Sequence, residues 1–78
     1  MIPVGFMFIN CKEGSQDAIL QGIKQIPGVA YAFKVDKSYD IVVKIESNSN
    51  DEFATAIDKI RASSGILNSD TMIGFKKP

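Results

Sequence analysis

The segment Asp36-Lys37-Ser38-Tyr39-Asp40 concentrates the polar chemistry of this chain. Backbone N–H groups in such a turn, with the Lys37 ammonium close by, can hold a carboxylate. Tyr39 adds an apolar ring with a hydroxyl at its tip. The same residues also read as a hairpin loop of solvated side chains. A second polar pair, Ser69 and Thr71, stands in an apolar row with Leu67, Ile73 and Phe75. Residues two apart share one face of a strand. Hydroxyls there can bind a small polar ligand, or they satisfy neighbouring backbone groups at a strand edge.

Other chemistries are poorly supplied. The sequence has no His and no Trp, so a Ser-His-Asp or Cys-His catalytic set is excluded. Asp40, Glu46, Asp51 and Glu52 match no calcium-loop spacing, and the last two suit a helix N-terminus. No metal site and no cofactor are expected. The glycines form no phosphate-cradling motif. Cys11 has Lys12 beside it, which could lower a thiol pKa. A small packed residue at a strand end explains it as well. A single Cys forms no disulfide within the chain, which fits a reducing, cytoplasmic compartment.

These residues must be positioned by one small domain covering 1–78. Apolar residues make up 45% and charged residues 23%, an ordinary globular composition. Nine Lys and Arg balance nine Asp and Glu, so no general attraction for nucleic acid or acidic lipid is expected. The opening apolar stretch lacks a basic flank, and no run reaches the length of a membrane span.

Val4–Ile9 is continuously apolar and reads as a strand buried on both faces. Val4, Phe6 and Phe8 would face one side, Met7 and Ile9 the other. Ser15 is placed to cap a helix carrying Ile19, Leu20, Ile23 and Ile26. Pro27-Gly28 ends it. Val29–Val35 is a second strand, with Val29, Tyr31, Phe33 and Val35 on a common face. Ile41–Ile45 is a third, strongly β-branched. Ser49 and Glu52 have capping-box spacing ahead of a helix with the stripe Phe53, Ile57 and Ile60. Ser63-Ser64-Gly65 ends that helix, and Ile66–Phe75 is a fourth strand. The order β-α-β-β-α-β predicts an α+β, ferredoxin-like sandwich with the first and third strands central. Two helices cover one face of such a sheet. The second apolar face of the first strand then calls for a second copy, sheet against sheet.

Ile26-Pro27-Gly28-Val29, Tyr39-Asp40-Ile41-Val42-Val43-Lys44-Ile45 and the spaced Ser69 and Thr71 together resemble the effector domain of the Lrp/AsnC regulators. The resemblance covers about Val4 to Lys76. It implies a dimeric α/β-barrel fold, association of dimers into larger rings, and small effectors, usually amino acids, bound where dimers meet. In the family a Gly, one further residue and Tyr-Asp precede the third strand. Here Lys37 stands in place of that Gly, followed by Ser38, Tyr39 and Asp40. If the family geometry needs a positive φ there, Lys37 is strained; otherwise it offers a direct charge to a carboxylate. Ser69 and Thr71 fall near family positions that line the effector cleft.

Full-length members carry a helix-turn-helix DNA reader. The first strand here begins close to Met1, so the expectation is an effector module without that reader. Its output would pass through protein assembly, with full-length Lrp/AsnC regulators as candidate partners. Two other readings stand beside this one. One is a structural assembly partner with no effector. The other is a small dimeric α/β-barrel enzyme, for which only Tyr31, Tyr39, Asn10 and the carboxylates could serve.

Overall fold

Alternating burial along the first strand organises the whole molecule. In the computed structural model, which describes residues 1–77, the strand β1 spans Ile2–Cys11. Every second residue from Pro3 to Cys11 is buried, and those between are half-buried. The remaining elements are α1 (Gln16–Lys24), β2 (Val29–Lys34), β3 (Ile41–Glu46), α2 (Asn50–Arg61) and β4 (Ile66–Lys76). The order is the one read from the sequence. The sheet order is β2-β3-β1-β4, with every neighbouring pair antiparallel. The two most apolar strands are therefore central, as expected.

One face of the sheet is closed by the helices. Met7 and Ile9 from β1 and Ile41, Val43 and Ile45 from β3 are fully buried against it. Ile19, Leu20 and Ile23 seal α1, while Phe53, Ala56, Ile57 and Ile60 seal α2. Gly5 makes room for α2: a Cβ there would lie 2.9 Å from the tip of the Phe53 ring. Each helix turns directly into a strand at a glycine with left-handed backbone, Gly28 (φ 98°) and Gly65 (φ 93°). A side chain strains that conformation, which is why both halves of the chain use glycine there.

Three local expectations are corrected. Ser15 sits at the N-cap position of α1 but makes no side-chain capping bond. Its hydroxyl donates back to the Lys12 carbonyl instead. Val29 does not share a face with Tyr31 and Phe33. It pairs with Ile45 while Tyr31 pairs with Lys44, so Ala30 is an extra residue in the ladder. That bulge turns Val29 onto the core and leaves Tyr31 and Phe33 on the opposite face. Leu67 likewise leaves the row of Ser69, Thr71, Ile73 and Phe75, because the register shifts between Asn10 and Cys11. The capping box of α2 forms by half. Ser49 Oγ accepts from the Glu52 N–H (3.3 Å), but the Ser49 N–H is taken by Ser47 Oγ (3.2 Å).

Among the described residues, no helix is long and apolar enough to cross a membrane.

Candidate functional site

The loop between β2 and β3 is tied to the centre of the sheet through Asp40. Its N–H donates to the Ile9 carbonyl (2.8 Å), and its carbonyl accepts from the Val35 N–H (2.9 Å). Its carboxylate accepts from the Cys11 N–H (2.7 Å). Asp40 is thus a clamp between the loop and the end of β1. Burial, and then the Asp40 charge, push the Cys11 thiol above its ordinary pKa. That favours the packed reading of Cys11, which is buried, over a reactive thiolate.

So anchored, the loop sends Tyr39 across β1. The ring packs on Phe8 at 5.5 Å between centroids. The hydroxyl donates to a carboxylate oxygen of Asp70 on β4. That hydrogen bond is the main reason the Tyr39 phenol lies above its ordinary pKa. Lys37 and Ser38 lie exposed in the same loop. Among the described residues no residue other than glycine has a positive φ, so Lys37 carries none of the strain considered for it. Asp36 and Asp40 also border an open polar cleft of about 480 Å³ beside the start of α1, with Asp17 and Lys34. Lys34 and Asp17 pair there at 2.7 Å. Among the described residues, no three His, Cys, Asp or Glu side chains group as metal ligands.

Ser69 and Thr71 occupy the other side of β4. They pair with Ile9 and Met7, whose side chains face the helices. Thr71 Oγ1 accepts from the Arg61 guanidinium at the end of α2 (3.3 Å). Asp70, between them in the chain, pairs with Phe8 and points to the open face. One copy therefore brings Tyr39 to β4, but on the face opposite the two hydroxyls. The sequence reading missed Asp70 and Arg61. Asp70 carries no periodic signal, being one polar residue in a mixed strand. Arg61 had one: it continues the i, i+4 stripe of Phe53 and Ile57.

The open face is largely apolar and aromatic. Phe6, Phe8 and Val42 lie half-buried in its middle, with Tyr31, Phe33 and Met72 exposed at its flanks. Tyr31 and Phe33 stack at 5.7 Å. Lys44 lies 6.0 Å from the Phe6 ring centroid and 5.8 Å from that of Tyr31. Lower on this face Glu46 pairs with Lys76 at 2.9 Å and with Lys44 at 3.8 Å. The Lys76 ammonium in particular holds the Glu46 carboxyl below the usual carboxylate range.

Comparison with known proteins places these features. Residues 4–78 match the family model described as the Lrp/AsnC ligand binding domain. An HTH-type transcriptional regulator, FL11 of Pyrococcus horikoshii, is 25% identical over 73 residues, covering 94% of this chain and 48% of the regulator. A homocitrate synthase of Sulfurisphaera tokodaii is 33% identical over 60 residues, 77% of this chain but 13% of the synthase. The chain thus spans about half the length of the regulator and a small part of the enzyme. The hypothetical protein PHS023 of Pyrococcus horikoshii superposes with a TM-score of 0.87 at 26% identity, covering 99% of this chain and 93% of that one. The regulator NMB0573 of Neisseria meningitidis, solved as an L-Met complex, shares the fold (TM-score 0.75, 12% identity, 96% of this chain and 51% of that one). By the match over nearly its whole length, and by the ferredoxin-like fold it shares with these regulators, the chain belongs to the Lrp/AsnC family as a ligand-binding domain.

Proposed function

We propose that residues 1–78 act as one effector-binding and oligomerisation module. It binds an amino acid or related small metabolite and modulates transcription regulators through protein–protein assembly. The observation that carries this reading is the uncovered sheet face. Phe6, Phe8, Tyr31, Phe33, Val42 and Met72 form an apolar layer that nothing of this chain covers except the Tyr39 ring packed on Phe8. A domain this small gains much of its stability from covering such a layer. A second copy docked sheet against sheet does so, and dimers can then associate further.

The effector site is assigned to Lys37, Ser38, Tyr39 and Asp40 of the loop and to Ser69 and Thr71 of β4. Because the two sets lie on opposite faces of β4, a cleft containing both needs residues from more than one copy. An effector that binds only the assembled form then shifts the oligomer equilibrium by its differential affinity. Full-length members of the family are the partners through which that shift reaches DNA, by mixed assembly. The L-Met complex of the Neisseria relative supports an amino acid as the ligand class.

The test is a thermal-shift screen against the twenty amino acids, paired with sedimentation of the protein with and without each hit. A ligand at a hundred times its dissociation constant adds about 2.7 kcal/mol. In a domain of this size that is a rise of roughly ten degrees or more. The expected result is such a rise for a few chemically related amino acids, together with a change in sedimentation. No shift for any amino acid would overturn the effector role.

A further inference from the structure

The chain contains a single arginine, and it lies beside the hydroxyl row of β4. Arg61 continues the α2 stripe of Phe53 and Ile57, both buried against the sheet. One turn beyond Ile57 the stripe runs out over β4, at the edge of the sheet. There the Arg61 Nη2 donates to Thr71 Oγ1. Among the described residues, no carboxylate stands within ion-pair distance of this guanidinium. Most of its five donors are left for something else.

The rest of that strip of β4 is apolar. Ile73 and Phe75 follow Thr71 on the same face, paired with Gly5 and Pro3. They are 57% and 59% exposed. They point away from the sheet face proposed to meet a second copy. The strip is therefore cationic and hydroxylic at one end and apolar at the other. One step along a strand face, from Thr71 to Ile73, is about 7 Å. That is the reach from the carboxylate of a small aliphatic amino acid to the end of its side chain.

We infer that Arg61 is the carboxylate-binding residue of this domain, and that the strip Ser69–Thr71–Ile73–Phe75 selects ligands joining a carboxylate to an apolar side chain. A guanidinium meets a carboxylate through two parallel hydrogen bonds, and the Thr71 hydroxyl holds it in place over the strand. Ile73 and Phe75 receive the aliphatic part. The inference rests on the effector-binding reading of Ser69 and Thr71. It adds the group that recognises the ligand's charge and the ligand's chemical class.

The experiment titrates wild type, Arg61→Gln and Arg61→Lys with four probes: L-leucine, L-methionine, 4-methylpentanoate and 3-methylbutylamine. Calorimetry gives affinities. Because there is one arginine, a single guanidinium Nε–H resonance reports on the site directly. The three carboxylates are expected to bind wild type and move that resonance, and the amine to do neither. Arg61→Gln should weaken the carboxylates by about tenfold to a hundredfold, with Arg61→Lys between. A glutamine variant that binds L-leucine and L-methionine within about twofold of wild type overturns the inference and leaves the effector reading intact. So does binding confined to other amino acids with the arginine resonance unmoved. Binding of 4-methylpentanoate through Arg61 without any amino acid keeps the inference and removes the amino-acid reading. Failure of all four probes, together with a silent amino-acid screen, overturns both. Folding of each variant is checked from its backbone amide spectrum; Arg61 is exposed, so both substitutions leave the core untouched.

Discussion

Tyr39 joins the loop to the edge strand, and its ionisation should report that junction. Its hydroxyl donates to Asp70, which favours the neutral phenol and raises its pKa. The folded protein then holds this proton at a pH where the unfolded chain releases it. The stability contributed is present below the ordinary tyrosine pKa and is lost as pH rises through the raised one. In a Tyr31→Phe background, the phenolate absorbance of Tyr39 should titrate late, and adding Asp70→Asn should bring the midpoint down. A midpoint that ignores Asp70→Asn would show that the two side chains do not meet in solution. The sequence pointed to Tyr39 because aromatic and charged residues crowd one turn. Its partner was illegible there, since Asp70 is thirty-one residues away and nothing local marks it. The clamp that Asp40 makes was equally illegible: the resemblance implied an effector-binding residue, and the Cys11 N–H from which one of its carboxylate oxygens accepts is twenty-nine residues away in the chain.

The strands and helices themselves were largely legible, because burial imposes a period that single residues do not. Ile41, Val43 and Ile45 alternate with half-buried neighbours, and the Ile19–Ile23 and Phe53–Ile57 spacings place each helix on the sheet. The bulge at Ala30 was not legible. A bulge is a property of two paired strands, and the β2 sequence alone keeps a regular alternation. The glycine turns were legible, and they carry a sharp energetic expectation. Gly65 has φ 93°, and a Cβ there would lie 3.0 Å from Ile19 Cδ1 and 3.2 Å from Ser15 Oγ. Its carbonyl also accepts from the Lys12 N–H at 2.7 Å, so the turn holds the exit of β1 as well. Gly65→Ala should cost about 1–3 kcal/mol from backbone strain. In a domain this small each kcal/mol lowers the melting temperature by roughly 4–8 °C. Gly22→Ala is the control: a Cβ there meets nothing within 4 Å, and alanine favours a helix. Equal melting temperatures for Gly65→Ala and wild type would mean that this turn relaxes in solution.

Where the sheet lacks a cover, its apolar side chains form one layer. Tyr31, Phe33 and Met72 flank the open face, with Phe6 and Phe8 half-buried between them. Isolated exposed apolar residues are normal, but a continuous layer of this kind marks an interface. None of these five belongs to the core sealed by the helices. A charge placed among them should therefore spare the fold of one copy and disrupt the proposed assembly. Phe33→Glu is the most informative change, since Phe33 stacks on Tyr31 at the flank and is 48% exposed in the single copy. In a docked pair the carboxylate would be buried without a partner, at a cost of several kcal/mol per copy. Sedimentation should show a dimer or larger species for wild type and a monomer for Phe33→Glu at the same concentration. The melting temperature of wild type should rise with protein concentration, and that of the variant should not. Lys24→Gln, on the exposed last turn of α1, lowers the charge by the same one unit away from the sheet face and should leave assembly intact. A monomeric wild type, or a Phe33→Glu protein that still dimerises, would mean that the open face is not the surface on which copies meet. The effector would then have to act without assembly through this sheet.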